Sequence, residues 1–320
     1  MKVSVIAFDG CMTSAVFGLL DAFNIAGFLS ASGANSWNSH QIKLVTRSGD
    51  IVFGAGGYPI TGQVSLEAAR DSDVVVVPPI LGDVGATIRS EGALVAWLGE
   101  LTPNPTLIAS ACSGAFLLAE AGLLNGRVAT TNPRFQNQFE RRYPGIRLAL
   151  EQRIVEDRMV ICAGSTTAYL DLAIYLIDRL GGHELAVSTA KALAMGKSPE
   201  SQKPYLLFIA PRDHGDEDVL RLQEWMEGRI AQPTSVQDLT GVVGLGERNL
   251  TRRFRNATGK TPMEYLRIIR IETAKRLLES KPITVDRVAE AVGYLDARAF
   301  IRAFTAVVGV SPAKYGRRFR

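Results

Sequence analysis

A chain of 320 residues, 47% of them apolar, is too long for one ordinary core and predicts about two domains, each with a real interior. No uninterrupted apolar run reaches the roughly 18 residues of a membrane span, and Cys11, Cys112 and Cys162 are too few for a disulfide framework. The net charge of +4 hides an asymmetry: residues 231–320 hold 17 Lys and Arg against 8 Asp and Glu, whereas residues 1–230 hold 19 against 24.

Taken in chain order, the start Met1-Lys2-Val3-Ser4-Val5-Ile6-Ala7-Phe8-Asp9 suits a first strand better than a signal peptide, so a cytoplasmic protein without a membrane partner is expected. Strands are predicted over 3–8, 41–47, 73–77, 106–111 and 159–163. Helices are predicted between them over 14–28, 91–101, 114–124 and 168–180. Alternation of this kind predicts a doubly wound, flavodoxin-like α/β domain over 1–195, and Val74-Val75-Val76-Val77 reads as a strand covered on both faces. Pro, Gly and mixed charge over 196–218 predict a linker, with some docked structure around Pro204-Tyr205-Leu206-Leu207-Phe208. His40, His183 and His214 stand far apart, so no metal site is expected, and no cofactor.

From 219 to 320 the pattern is all helical, with a weak repeat at about fifty residues. A short helix from Val236, a Gly-containing turn and a helix over 246–254 are followed by a long helix over 262–280. The grammar then recurs over 285–292, Gly293 and 296–307. Leu239, Val243, Leu250 and Phe254 supply one core face, leaving Arg248, Thr251, Arg252 and Arg255 outward. Val288, Val292, Phe300 and Phe304 supply the other, leaving Asp296, Arg298 and Arg302 outward. Two helix-turn-helix units in an all-α domain follow, each able to lay its second helix in a major groove about 12 Å wide. A basic end on an acidic body is also the footprint of a chain that meets polyphosphate with that end alone, though a solvated surface has the same charges.

Several motifs in order, Leu250-Thr251-Arg252-Arg253-Phe254, Arg270-Ile271-Glu272-Thr273-Ala274-Lys275-Arg276-Leu277-Leu278, Val288-Ala289-Glu290-Ala291-Val292-Gly293-Tyr294 and Gly309-Val310-Ser311-Pro312-Ala313-Lys314-Tyr315, make this end resemble the AraC/XylS family. The resemblance implies double-stranded DNA as partner, with Arg248, Thr251, Arg252 and Arg255 at one groove and Arg298 and Arg302 at the next. It also implies a homodimer and activation through RNA polymerase.

Residues 106–116 read as strand, sharp turn at Cys112 and helix, a nucleophile elbow in which the helix N-terminus is expected to lower the thiol pKa and so to favour oxidation as well. With Leu123-Leu124-Asn125-Gly126-Arg127-Val128-Ala129-Thr130-Thr131 following, the first domain resembles the class I glutamine amidotransferase-like superfamily, on the PfpI-type branch. That resemblance puts a catalytic His after the Thr-Thr pair and an acid early in the first helix. Here those places hold Asn132 and Ala15, and Pro79 stands where an oxyanion amide is usual. No catalytic residue is therefore assigned. Cys11, Thr13, Pro79, Ile80, Cys112, Ser113, Asn132, Ser165 and Thr166 are expected to line a site for a small effector, such as an amino acid or amine derivative, at the sheet's carboxyl edge. The alternative is a Cys-dependent amide hydrolase or hydratase fused to a DNA-targeting domain.

Overall fold

The structure, a computed structural model, describes residues 1–30, 37, 41–101, 106–195, 203–205, 208, 210–280 and 282–319. The chain divides into two units, Met1–Gln202 and Lys203–Arg320. In the first, β1 (Val3–Ile6) leads into α1 (Thr13–Ser30), β2 (Ile42–Thr46), a hairpin of β3 (Ile51–Phe53) and β4 (Pro59–Thr61), then β5 (Val64–Ser65) and β6 (Val74–Val77). Helices α2 (Val84–Ser90) and α3 (Gly92–Glu100) precede β7 (Leu107–Ala111) and α4 (Ala115–Glu120). After β8 (Val128–Ala129), α5 (Gln136–Arg142) and β9 (Arg147–Leu148) come β10 (Ile154–Asp157), β11 (Val160–Ala163), α6 (Ala168–Gly181) and α7 (His183–Ala192).

Seven strands form one sheet in the order β10-β11-β7-β6-β1-β2-β5, parallel except where β10 runs antiparallel to β11. The five strands expected from the sequence are its middle five. Every residue of β1 and β6 is buried, which is why the valine run of β6 is uninterrupted: helices cover both faces of a parallel sheet. Edge strand β10 and the β3–β4 hairpin were not foreseen, because three or four residues are too few to show a period. Helix α4 is shorter than the 114–124 expected, ending at Glu120. Among the described residues α1 is long and apolar enough to cross a membrane by length and composition, a helix that Asp21 masks in a search for unbroken apolar runs. Here Ala15, Val16, Leu19, Ala22, Phe23 and Ala26 are buried, and the helix packs on α6, α7 and β2 as a core element.

In the second unit α8 (Glu217–Glu227), α9 (Val236–Val243), α10 (Glu247–Thr258), α11 (Pro262–Ser280), α12 (Val285–Ala291), α13 (Ala297–Val308) and α14 (Pro312–Phe319) build two small cores. Tyr265, Leu266 and Ile269 of α11 join Leu222, Leu239, Leu250 and Phe254 in one. Ile271, Ala274 and Leu278 of the same helix join Val288, Phe300, Phe304 and Tyr315 in the other. Equivalent residues lie fifty positions apart: Leu250 and Phe300, Phe254 and Phe304, Gly259 and Gly309, Pro262 and Pro312, Tyr265 and Tyr315. Tyr265 meets Phe254 edge-on at 5.4 Å, and Tyr315 meets Phe304 at 5.6 Å.

The expected linker needs correction. Residues 196–202, 206, 207 and 209 lie outside the described residues, as does His40, but the rest of the segment is tied to the helical unit. Phe208 packs edge-on against Tyr265 at 5.6 Å, and Gln223 Nε2 donates to the Pro211 carbonyl at 2.9 Å. Arg253 of α10 donates to both Asp216 oxygens (2.9 and 2.6 Å) and to Asp218 (2.8 Å), while Asp216 also caps α8. The docked structure expected near Phe208 is there, and the half-buried ion pairs of Asp216 and Asp218 extend it, where local composition alone suggested a tether.

Where β7 turns into α4, a Cβ added to Gly114 would lie 2.7 Å from the Pro78 carbonyl oxygen and 2.8 Å from that of Val77. Both are backbone atoms at the end of a buried strand and have nowhere to go. Gly114→Ala should therefore lower stability by about 1–3 kcal/mol, read as a lower urea midpoint at unchanged slope; an unmoved midpoint would show that the turn has room.

Candidate functional site

Helix α9 begins with a capping box, Ser235 with Asp238, and stops at Gly244, whose φ of 68° lets the chain reverse into α10. Leu250 and Phe254 point inward and are fully buried. The 3.6-residue period then obliges the opposite face to turn outward, and Glu247, Arg248, Thr251, Arg252, Arg255 and Asn256 line a recess of about 560 Å³. Arg252 is steadied by donating to Asn249 Oδ1 at 2.9 Å. The second unit repeats the plan. Asp296 accepts from the amides of Arg298 and Ala299, both at 3.0 Å, Phe300 and Phe304 are buried, and Arg298 and Arg302 are exposed.

All four residues expected on α10 therefore share one face, as do the two on α13. Glu247 and Asn256, which the sequence reading passed over, belong to the α10 face by spacing alone. Arg253 is the opposite case. One residue beyond Arg252, and so about 100° round the helix, it turns to Asp216 and Asp218 and joins α10 to the start of α8.

At the carboxyl edge of the sheet, Cys112 adopts φ 54°, a left-handed backbone that costs a non-glycine residue about 1–3 kcal/mol. Two latches hold it there: Thr131 Oγ1 donates to the Cys112 carbonyl at 2.7 Å, and Ser113 Oγ to the Ile80 carbonyl at 2.7 Å. Ile80 in turn pairs with Cys11, and Met12 N donates to the Pro79 carbonyl at 2.8 Å. Cys11, Pro79, Ile80, Cys112 and Ser113 are thus brought together by backbone. Asn132 and Thr166 complete the set: both side chains bear on the thiol's pKa, and Asn132 Nδ2 donates to Thr166 Oγ1 at 3.1 Å. Thr13 and Ser165 adjoin it, and their buried hydroxyl oxygens have no hydrogen-bond partner among the described residues. Thr13 also faces the hairpin, where a Cβ on Gly54 would lie 2.3 Å from its Oγ1. The role of Thr131 as a latch was not read from the sequence, although it stands in the Thr-Thr pair that drew attention to Asn132.

The orientation of Asn132 is determined by its neighbours. Its Oδ1 accepts from Arg134 N at 3.0 Å, capping the turn Pro133–Phe135, so its NH2 group faces Thr166 and the thiol. It is a donor to the site, with no lone pair offered there. The expected lowering of the Cys112 pKa is overturned: burial pushes the thiol up, against hydrogen bonds from Asn132, Ser113 and Thr166 that pull it down. Only 4% of the residue is exposed, and α4 has only six residues, too little dipole to offset the lost hydration.

Fold and site together define a doubly wound α/β unit with a strained cysteine elbow, followed by a tandem helix-turn-helix unit. Residues 1–179 match the DJ-1/PfpI family and residues 239–318 a helix-turn-helix domain family; the chain belongs to the DJ-1/PfpI family and carries a C-terminal helix-turn-helix domain. It is similar to the HTH-type transcriptional regulator CdhR of Pseudomonas aeruginosa, with 27% identity covering 93% of this chain and 90% of that protein. The HTH-type transcriptional regulator GbdR of the same organism is 24% identical, covering 92% and 82%. A crystal structure of an AraC family transcriptional regulator from Pseudomonas putida shares the α/β fold, with a TM-score of 0.51 at 22% identity over 60% of this chain and 98% of that one. The resemblances drawn from the sequence hold on both halves.

Burial also pushes up the thiols of Cys11, to about 11, and Cys162. A raised acid pKa means that the protonated form persists above the ordinary thiol value of about 8.5. Absorbance at 240 nm should therefore rise with pH later in the folded protein than after denaturation; a folded-state thiolate step near pH 7 would contradict the burial of Cys112.

Proposed function

We propose that this protein is a sequence-specific DNA-binding transcription regulator whose helical unit grips double-stranded DNA and whose α/β unit takes a small-molecule effector. One observation carries it: two recognition helices, α10 and α13, bear arginines at equivalent positions, Arg248 with Arg298 and Arg252 with Arg302, on faces that the two cores leave outward. An arginine fork can bond guanine O6 and N7 together, or grip phosphate, and two such helices on one spine suit successive major grooves. The relatives CdhR and GbdR, both named as transcriptional regulators, support the same reading. Cytoplasmic location, a homodimer and activation through RNA polymerase are the further parts of the proposal, on the AraC/XylS resemblance. Exposed Ile51, Phe53 and Tyr58 on the β3–β4 hairpin support self-association.

In the α/β unit the donor groups favour binding over hydrolysis. Asn132 presents an amide that cannot take a proton, Ala15 offers no acid, and the Cys112 thiol stays protonated. Side-chain donors converge on this site, and the unpartnered buried hydroxyls of Thr13 and Ser165 among the described residues suit a polar ligand. An amino acid or amine derivative fits such a set, with Cys11, Thr13, Pro79, Ile80, Cys112, Ser113, Asn132, Ser165 and Thr166 as lining.

Two experiments test the two halves. Arg252→Ala and Arg302→Ala should each weaken binding of the full chain to a selected operator by about 1–3 kcal/mol, with unchanged melting; full affinity in both variants would end the groove assignment. In a thermal-shift screen of amino acids and amines against the full chain, a true effector at a hundred times its Kd should add about 2.7 kcal/mol of stability. Asn132→Leu should abolish that gain, and a gain left intact would move the effector elsewhere.

A further inference from the structure

Among the described residues of Lys203–Arg320, two large apolar side chains stand exposed, Leu295 completely and Ile301 by 38%. Both belong to the second recognition element. Leu295 immediately precedes Asp296, the cap of α13, and Ile301 lies on the helix three residues after Arg298 and beside Arg302. Positions 298, 301, 302 and 305 share one helical face, so this is an apolar centre with a basic rim. Fifty residues earlier, the equivalents are half-buried Leu245 and Thr251. The two recognition faces therefore match in their arginines and differ in chemistry between them.

An exposed β-branched residue between two arginines suits an occupant that is both anionic and locally apolar. The major groove offers that combination at one base, thymine, whose C5-methyl projects into the groove beside the phosphates. A protein partner would ask for a broader apolar patch than two side chains. Resting on the DNA-binding reading above, we infer that Ile301 is a specificity-determining residue that selects thymine through its C5-methyl in the half-site facing α13, with Leu295 packing beside it. The half-site facing α10 is read by hydrogen bonding from the arginines and Thr251, with no comparable demand for the methyl group.

The test begins by selecting a site for the full chain from random-sequence duplexes, the half facing α13 being the one where Arg302→Ala relaxes selection. Each thymine of that site is then replaced singly by deoxyuridine, which removes the methyl and nothing else. One replacement in the α13 half should weaken wild-type binding about fourfold, the worth of one buried methyl. Ile301→Ala, checked for unchanged melting, should bind the thymine and uracil duplexes equally, whereas Arg302→Ala should weaken both and keep their ratio. No penalty at any thymine of that half, or the same penalty in Ile301→Ala, overturns the inference while DNA binding stands. If no duplex is selected, the DNA-binding reading fails with it. An Ile301→Ala protein that keeps base preference and affinity but loses activation with polymerase present assigns the apolar centre to a protein partner instead.

Discussion

Each recognition helix is pinned by one aromatic pair, Phe254 against Tyr265 and Phe304 against Tyr315, and the direction of every outward arginine depends on it. Burying two residues four apart commits that face of a helix to the core; with 3.6 residues per turn, Thr251 and Arg252, and their equivalents Ile301 and Arg302, fall away from it. Both tyrosines also spend their hydroxyls inside the unit, Tyr265 donating to Glu227 at 2.9 Å and Tyr315 to Glu279. The anchors are therefore directional as well as apolar. Because α11 supplies the first half of its length to one core and the second half to the other, it makes one rigid spine for two reading heads.

The repeat is faithful in its core and divergent on its surface. Positions that hold α10 and α13 in place are aromatic or leucine in both copies. Between the paired arginines, however, one copy carries Thr251 and the other Ile301. Arg253 marks a second divergence: its equivalent is Ala303, so this residue ties only the first head by two carboxylates to the start of α8.

In the α/β unit the same economy of parts has another outcome. The elbow at Cys112 keeps the strained geometry of a nucleophile, latched by Thr131 and Ser113, yet the groups around it are donors and the thiol is buried and protonated. Geometry of that kind retains shape and partial charge for a ligand without supplying a base. The unpartnered hydroxyls of Thr13 and Ser165 are the polar groups there that a ligand would satisfy.

Much of this protein was legible in its sequence wherever the information is periodic or local. The five central strands, the long helix Pro262–Ser280, the fifty-residue repeat, the elbow at Cys112 and the outward arginines all follow from which residues alternate or recur. The tertiary structure alone decided what depends on groups remote in the chain. Burial beneath other segments raised the Cys112 thiol that its own helix was expected to lower, and a cap on the following turn aimed the Asn132 amide into the site. Asp216 and Asp218 drew Arg253 inward and turned a presumed linker into part of the helical unit. The physical reason is the same in each case: period and composition specify which face is apolar, whereas desolvation and hydrogen-bond pairing are settled by whatever the fold brings against that face.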